Sequence, residues 1–185
     1  MTEVEERAER VLGKVPGYVW DGESLPVPVE DIADSVFGLL IRDVENMAAA
    51  PGAPDLGPDA SLSGLLLPDR GELWVNALEA GQWPGRRRFT IGHELGHWCL
   101  HRSDHRATIF CRSSSVDPQA ERPERPLPEQ EADTFAAALL MPAELIREHY
   151  AQCRDSFAGN ECFPELCRRF GTSKAAMGRR LHAVV

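Results

Sequence analysis

Two histidines four positions apart, with a glutamate directly after the first, are the side chains best suited to chemistry in this chain. They lie in the segment His93-Glu94-Leu-Gly-His97. Residues four apart on an α-helix lie one turn above each other on the same face, so both imidazoles can bind one metal ion. Glu94 lies about 100° around the helix axis from His93. From there its carboxylate can take a proton from a metal-activated water and pass it to a leaving amine, which is the chemistry of a zinc peptidase.

The helix that carries this motif is predicted to be buried. The alternative, a solvated helix with two chance histidines, does not fit apolar flanks, because buried polar side chains need partners. A glycine inside a helix costs about 1 kcal/mol relative to alanine, so Gly96 indicates that another element packs closely there. The apolar flanking residues are Phe89, Ile91, Leu95, Trp98 and Leu100.

A catalytic zinc requires a third protein ligand and one open position. His101 continues the row of His93 and His97, but one straight helix cannot place three ligands around a tetrahedral ion. We therefore expect His101 to end the helix or to hydrogen-bond to a ligand rather than to bind the metal. The third ligand is therefore expected from a second helix. Manganese(II) and iron(II) accept the same donors, so the donors alone do not fix the metal. The candidates for the third ligand are His101, His105, Glu129, Glu131 and Asp133.

The segment 129–142 predicts that second helix. Glu131 lies one turn before the apolar Phe135 and is expected to point inward. Three alanines at 136–138 would let the two helices approach closely. We therefore expect Glu131 to be the third ligand; the alternative is a first-turn glutamate favoured only by the helix dipole.

The remaining elements are predicted from apolar periodicity and turn residues. Two apolar runs at 65–67 and 73–76 surround a Pro-Asp-x-Gly turn and predict a hairpin. Residues 49–61 and the proline-rich insertion 112–128 are expected to be irregular. The fold class is α+β: a small twisted sheet packed on the histidine-bearing helix, followed by a mostly helical C-terminal half. Helices are expected at 2–12, 28–37, 86–101, 129–140, 142–150, 163–170 and 173–183, and a buried strand at 39–41.

Composition and charge narrow the class of protein. The chain has 185 residues, which we divide into a core over 1–142, including the insertion, and a helical extension over 143–185 packed on the same domain. A net charge of −9 disfavours nucleic-acid binding by the whole surface. The apolar runs are too short to span a membrane, and the N-terminus lacks the apolar core of a secretory signal. With five cysteines and no C-x-x-C pair, we expect a cytoplasmic protein with free thiols.

The C-terminal extension has the pattern of a helix-turn-helix. An apolar seam is flanked by basic residues, as in a DNA-reading helix pair, and the same pattern fits a packed helical hairpin with a solvated basic face. We favour the packed hairpin, with DNA binding as the alternative. The basic residues are Arg168, Arg169, Lys174, Arg179 and Arg180.

The segments 88–101 and 131–142 together resemble the ImmA/IrrE family of metallo-endopeptidases. The hairpin over 64–76 and the helix near residue 28 are also similar to segments of that family, so the likeness covers roughly residues 26–142. Gly92 departs from the alanine common in the family.

The resemblance implies His93, His97 and Glu131 as zinc ligands and Glu94 as general base and acid. The insertion separates His97 from Glu131 more than the family pattern suggests, which leaves Glu129 as the alternative ligand.

The resemblance also implies a biological role: cleavage of a helix-turn-helix transcriptional repressor, which would relieve repression of a mobile element or a stress response. The alternative is a regulatory DNA- or protein-binding module that keeps the fold without peptidase activity. Glu94 favours the peptidase, because a metal-binding scaffold needs no general base. The sequence does not fix the substrate, the oligomeric state or the oxyanion-stabilising group, for which the candidates by type are Tyr18, Arg88, His149 and Tyr150.

Overall fold

The computed structural model describes residues 2–50, 53, 60–102, 110–115, 126–156 and 161–185. Within these ranges the chain forms eight α-helices and a four-stranded sheet, which confirms the predicted α+β class. The helices are α1 (Glu3–Leu12), α2 (Val29–Phe37), α3 (Ala77–Gln82), α4 (Pro84–Leu100), α5 (Leu127–Leu140), α6 (Ala143–Ser156), α7 (Cys162–Phe170) and α8 (Lys174–Val184). The strands are β1 (Leu40–Val44), β2 (Ala60–Leu67), β3 (Glu72–Asn76) and β4 (Phe110–Ser115).

The sheet has the strand order β1-β3-β2-β4. The predicted hairpin is confirmed, since β2 and β3 pair antiparallel across a short 3-10 turn that ends at Gly71 with φ of 61°. β1 pairs with β3 in parallel, and β4 pairs antiparallel with β2.

Several parts of the chain differ from the prediction. Residues 60–61, expected to be irregular, belong to β2, and the strand expected to be buried at 39–41 is β1, in which Leu40 is 48 % exposed. The expectation of irregular structure was wrong for 112–115, which belong to β4, and for 127–128, which begin α5. Residues 116–125 of the insertion lie outside the described residues. β4, which ends in three serines, lies beside β2 and pairs with it over residues 110–115. The short helix α3 was not predicted; Asn76 begins it by accepting hydrogen bonds from the backbone N–H groups of Leu78 and Glu79.

Both faces of β2 are covered. Because side chains alternate along a strand, Leu66 faces the main core while Leu65 and Leu67 face a smaller cluster with Met47. The main core surrounds α4, which packs on the sheet and on α5, while α5 also packs on α1. Its largest fully buried side chains include Ile91, Leu95, Phe135, Leu139, Leu66 and Leu73.

α4 and α5 pack closely along a line of small residues. A Cβ added at Gly96 would lie 3.1 Å from Ala132 Cα, and one added at Gly92 would lie 3.3 Å from Ala136 Cβ. Such distances leave no space for a larger side chain. The close approach predicted at Gly96 is confirmed. Because the two helices are so close, polar side chains of one helix can contact side chains of the other directly.

The first and last helices are joined through a buried arginine. The side chain of Arg180 on α8 is 5 % exposed; it forms an ion pair with Glu5 of α1, and its Nε donates to the Met141 carbonyl at 2.9 Å. α1 also packs Ala8 and Val11 into the main core. None of the described helices has the length and apolar character needed to cross a membrane. Of the cysteines described, Cys99, Cys153, Cys162 and Cys167 are free.

Candidate metal centre

Three side chains from α4 and α5 converge on one point. His93 and His97 are fully buried, and their Nε2 atoms lie 3.1 Å apart. Glu129, in the first turn of α5, places Oε2 3.2 Å from His93 Nε2 and Oε1 3.1 Å from His97 Nε2. Zinc bonds of about 2.0–2.1 Å at tetrahedral angles separate two ligand atoms by about 3.3 Å. The two Glu129 distances end on different carboxylate oxygens, and one ligand atom from each of the three residues lies within 4.8 Å of the other two. This triangle of side chains, His93, His97 and Glu129, can therefore offer one donor each to a single ion.

The donor set also fits a catalytic zinc. Two imidazole nitrogens and one carboxylate oxygen leave the fourth tetrahedral position for water or substrate, which distinguishes catalytic from structural zinc sites. The Glu129 side chain is 23 % exposed, whereas both histidines are fully buried. The triangle is therefore enclosed on the α4 side and reaches the surface on the α5 side.

The electrostatics of the triangle favour the forms that bind metal. Burial lowers the pKa of His97 below its ordinary value and outweighs the opposing effect of Glu129. Burial by itself would raise the pKa of Glu129, but hydrogen bonds and charge interactions with the two histidines hold it well below its usual range. At neutral pH His97 is thus neutral and Glu129 ionised, as metal ligation requires.

The structure places Glu131, the third ligand expected from the sequence, on a different partner. Its Oε2 lies 2.9 Å from His101 Nε2, while the Nδ1 of His101 lies 3.0 Å from His97 Nδ1. Asp133 lies behind the other histidine, with Oδ1 2.8 Å from His93 Nδ1. The geometry therefore brings Glu129, not Glu131, to the histidine pair. Of the other third-ligand candidates, His105 lies outside the described residues.

The packing of α5 explains why Glu129 takes this position. Residues at spacings of three and four share one face of a helix, so Glu129 and Asp133 lie on the face that carries Ala132 and Ala136. That face meets Gly96 and Gly92 of α4. Glu131 follows a neighbouring row that ends on Phe135. The small residues of both helices are the sequence signal that favours the face with Glu129.

Glu94 is held between α4 and the sheet. It is fully buried, and it packs against β2 at Gly64, where an added Cβ would lie 2.8 Å from Glu94 Oε1 and would overlap the Thr90 methyl group. Gly64 therefore allows the carboxylate to lie against the strand. The sequence analysis assigned no role to Gly64, although a glycine inside a strand often marks such a close approach.

Three of the four suggested oxyanion-stabilising residues are placed as follows; the fourth, Tyr150, has the Arg154 guanidinium carbon 5.7 Å from the centre of its ring. Arg88 Nη2 donates to the Val27 carbonyl at 2.6 Å, and His149 Nδ1 lies 3.1 Å from Arg169 Nη1. Tyr18 is 86 % exposed. In the part of the chain that the structure describes, none of these three residues is bonded to the His93–His97–Glu129 triangle, so the oxyanion-stabilising group is not among the contacts seen.

The basic residues of α7 and α8 are only partly available to a partner. Arg180 is buried against Glu5. Arg168 and Arg169 both form ion pairs with Glu165 on their own helix, at 2.6 and 2.8 Å. The exposed basic face is therefore smaller than the sequence suggested, since Arg180 does not belong to it.

Comparison with known families agrees with the motif. Residues 63–182 match the sequence model of Peptidase_M78, the IrrE N-terminal-like domain. The matched segment includes the whole triangle and continues through most of α8, beyond residue 142, where the resemblance noted from the motifs ends. No curated protein matches the chain in sequence. Because the match spans more than half of the chain, the protein belongs to the Peptidase_M78 (IrrE N-terminal-like) family, and this membership supports a metallopeptidase-type function.

Proposed function

We propose that this protein is a zinc-dependent endopeptidase that cleaves a helix-turn-helix transcriptional repressor. His93, His97 and Glu129 hold the metal, and Glu94 is the general base. The observation that carries the proposal is the convergence of two histidines and one carboxylate: the Nε2 atoms of His93 and His97 are 3.1 Å apart, and they lie 3.2 and 3.1 Å from the two oxygens of Glu129. A fully buried glutamate, Glu94, follows His93 directly in the chain.

The protein side chains divide the work of peptide hydrolysis. Zinc in the triangle would polarise the substrate carbonyl and make the attacking water more acidic. Glu94 takes the proton of that water during attack and delivers it to the leaving amine. Packing against Gly64 limits the conformations of Glu94, so little ordering remains to be done when substrate binds. Asp133 keeps the His93 ring oriented through the bond to Nδ1.

The substrate class rests on the resemblance to ImmA/IrrE peptidases. Cleavage of a repressor would switch on the genes that it controls, in a mobile element or a stress response. A protease with this task must spare other proteins, which requires recognition of its substrate beyond the cleaved bond.

The metal site is tested by elemental analysis of purified protein at saturating zinc. The wild type is expected to hold about one zinc per chain, and Glu129→Ala and His97→Ala to lose it. Glu131→Ala is the matched control, because it removes a carboxylate two residues away from the same helix, and it should keep the metal. Loss of zinc in Glu131→Ala with retention in Glu129→Ala would restore Glu131 as the third ligand.

The activity is tested by incubating the zinc-loaded protein with a purified helix-turn-helix repressor encoded near its gene. Glu94→Gln should retain zinc and lose cleavage by at least about 100-fold, because general acid–base catalysis contributes 10²–10⁴-fold. Glu144→Gln, an exposed glutamate on α6, is the control and should cleave normally. Undiminished cleavage by Glu94→Gln would contradict its role as base.

Two further outcomes separate the substrate from the activity. Cleavage of an unfolded test protein but not of the repressor would keep the peptidase and reject the substrate. Function that survives Glu94→Gln but is lost on charge reversal at Lys174 and Arg179 would support a binding module. Arg180 is unsuitable for that test, because its reversal would break the buried ion pair with Glu5.

A further inference from the structure

The two metal-facing histidines are supported from behind in different ways. His93 Nδ1 meets a carboxylate directly, 2.8 Å from Asp133 Oδ1. His97 Nδ1 instead meets a second imidazole, 3.0 Å from the Nδ1 of His101. His101 in turn places Nε2 2.9 Å from Glu131 Oε2. His97 thus reaches a carboxylate as well, but through an intervening ring.

The protons of this chain can be assigned from the metal outward. A neutral imidazole carries one proton, so a ring that binds metal through Nε2 carries its proton on Nδ1. His97 Nδ1–H therefore donates to His101 Nδ1, which must be unprotonated. The His101 proton is then on Nε2, where it donates to the Glu131 carboxylate. Every bond in the chain has one donor and one acceptor.

The surroundings hold this chain in place. His97 is fully buried and His101 is 8 % exposed, so water has little access to the bond between the rings. His101 ends α4, and its backbone N–H donates to the His97 carbonyl at 2.9 Å. Two bonds therefore link His101 to the residue in front of it. Glu131 belongs to α5 and ties this end of α4 to the opposite helix.

We propose that His101 and Glu131 form a positioning pair for His97, and that neither is a metal ligand. The pair fixes the His97 tautomer with Nε2 free for metal and makes that nitrogen a stronger donor. Asp133 does the same for His93. The three acidic residues on the first turns of α5 then serve one ion: Glu129 binds it, and the other two orient its histidines. This inference rests on the proposed metal site.

The test is zinc affinity, measured by competition with a chromophoric chelator. His101→Ala should bind zinc about 10–100-fold more weakly than the wild type, the usual effect of removing such a partner. Glu131→Gln should show a smaller loss. The double variant should be no weaker than His101→Ala alone, because Glu131 acts only through His101. His182→Ala, an exposed histidine on α8, is the control and should bind as the wild type does.

A conservative variant separates positioning from folding. His101→Asn keeps an oxygen acceptor close to the position of Nδ1 and should recover most of the affinity lost in His101→Ala. In the zinc-loaded wild type, long-range ¹H–¹⁵N spectra should show the His101 proton on Nε2 and the His97 proton on Nδ1. A His101 proton on Nδ1, or wild-type affinity in His101→Ala, would overturn the proposal.

His97→Ala separates a failure of the positioning pair from a failure of the proposed metal site. If His97→Ala loses zinc while the His101 and Glu131 variants bind as the wild type does, only the positioning pair is rejected. If the wild type itself binds no zinc, the metal site fails and the inference fails with it.

Discussion

The α4–α5 pair and the α7–α8 pair both carry motifs that suggest function, but their polar side chains differ in burial and in where their partners lie. Between α4 and α5, polar side chains are buried and bonded from one helix to the other, as in His93–Asp133 and His101–Glu131. In α7, Glu165 binds Arg168 and Arg169 on its own helix, and Arg168 is 73 % exposed.

The difference separates a built site from an ordinary helix surface. Burying polar groups costs free energy unless they are paired, so a buried network between elements persists where it has a use. Ion pairs between neighbouring turns of one exposed helix cost little and contribute little. The partner of a charged residue therefore indicates function better than the motif in which it occurs.

The largest effect is expected on the cleavage rate, from a substitution at Gly64, the glycine of β2 that packs against Glu94. In Gly64→Ala the new methyl group would overlap the Thr90 methyl group and would lie 2.8 Å from Glu94 Oε1, so both side chains must move. A misplacement of about 1 Å can lower a rate about 100-fold, and cleavage should fall by that factor while zinc is retained. Gly81→Ala, at a glycine with nothing within 4 Å of its added Cβ, is the control. Equal rates in the two variants would show that Glu94 tolerates the methyl group.

The second effect concerns Arg180, the one basic residue of the α7–α8 pair that is buried in the structure described. Arg180→Met should lower the free energy of unfolding by about 2–3 kcal/mol, because hydrogen bonds to charged groups are lost at Glu5 and at the Met141 carbonyl. Urea denaturation measures the loss. Arg179→Met, at the exposed neighbouring position, should change stability little; similar values for both would remove the distinction between them.

A smaller loss is expected where α4 and α5 approach most closely. Gly96→Ala gains helix propensity, but its methyl group would lie 3.1 Å from the Ala132 backbone, which cannot rotate away. We expect a net loss of about 1 kcal/mol. Gly92→Ala meets the Ala136 side chain at 3.3 Å and should cost less. Thermal unfolding should give a lower midpoint for Gly96→Ala than for Gly92→Ala. The reverse order would contradict the closer contact at Gly96.

The smallest effect is expected at the surface of α7. Hydrogen bonds from Arg168 and Arg169 hold the pKa of Glu165 at about 2. The unfolded pKa is about 4.3, so this pairing stabilises the fold above that value and its contribution disappears as the pH falls toward 2. In Arg168→Ala the Glu165 pKa, followed by NMR titration, should rise, while the unfolding midpoint at pH 7 stays nearly unchanged. A large fall in that midpoint would show that the exposed ion pairs of α7 stabilise the fold as buried pairs do, and would contradict the comparison with α4.

Local sequence patterns were sufficient for much of this structure. The four-residue spacing of His93 and His97 placed both rings together, and the turn before Gly71 identified the hairpin. The third carboxylate was different, because it depended on which face of α5 meets α4. Phe135 indicated the face that Glu131 shares, and its Cβ does lie 3.3 Å from a Cβ added at Gly96. The contacts through Ala132 and Ala136 lie on the adjoining face, which carries Glu129.

Elements that depend on distant partners were also missed. β4 ends in three serines and pairs with β2. His101 was expected to end its helix or to support a ligand, but its pairing with Glu131 was not. That pairing depends on the end of α4 lying beside the first turns of α5, which no spacing within either helix reveals. The sequence identified the side chains of the network and only some of the contacts between them.

The ion pair between Glu5 and Arg180 also sets the smallest piece of this protein that can be expected to fold. The family match begins at residue 63, yet a protein truncated to that segment would lack α1, α2 and β1. The Arg180 guanidinium would remain buried without Glu5, and α5 would lose the cover of Ala8 and Val11. The segment by which the family is recognised is therefore shorter than the cooperative unit that carries it.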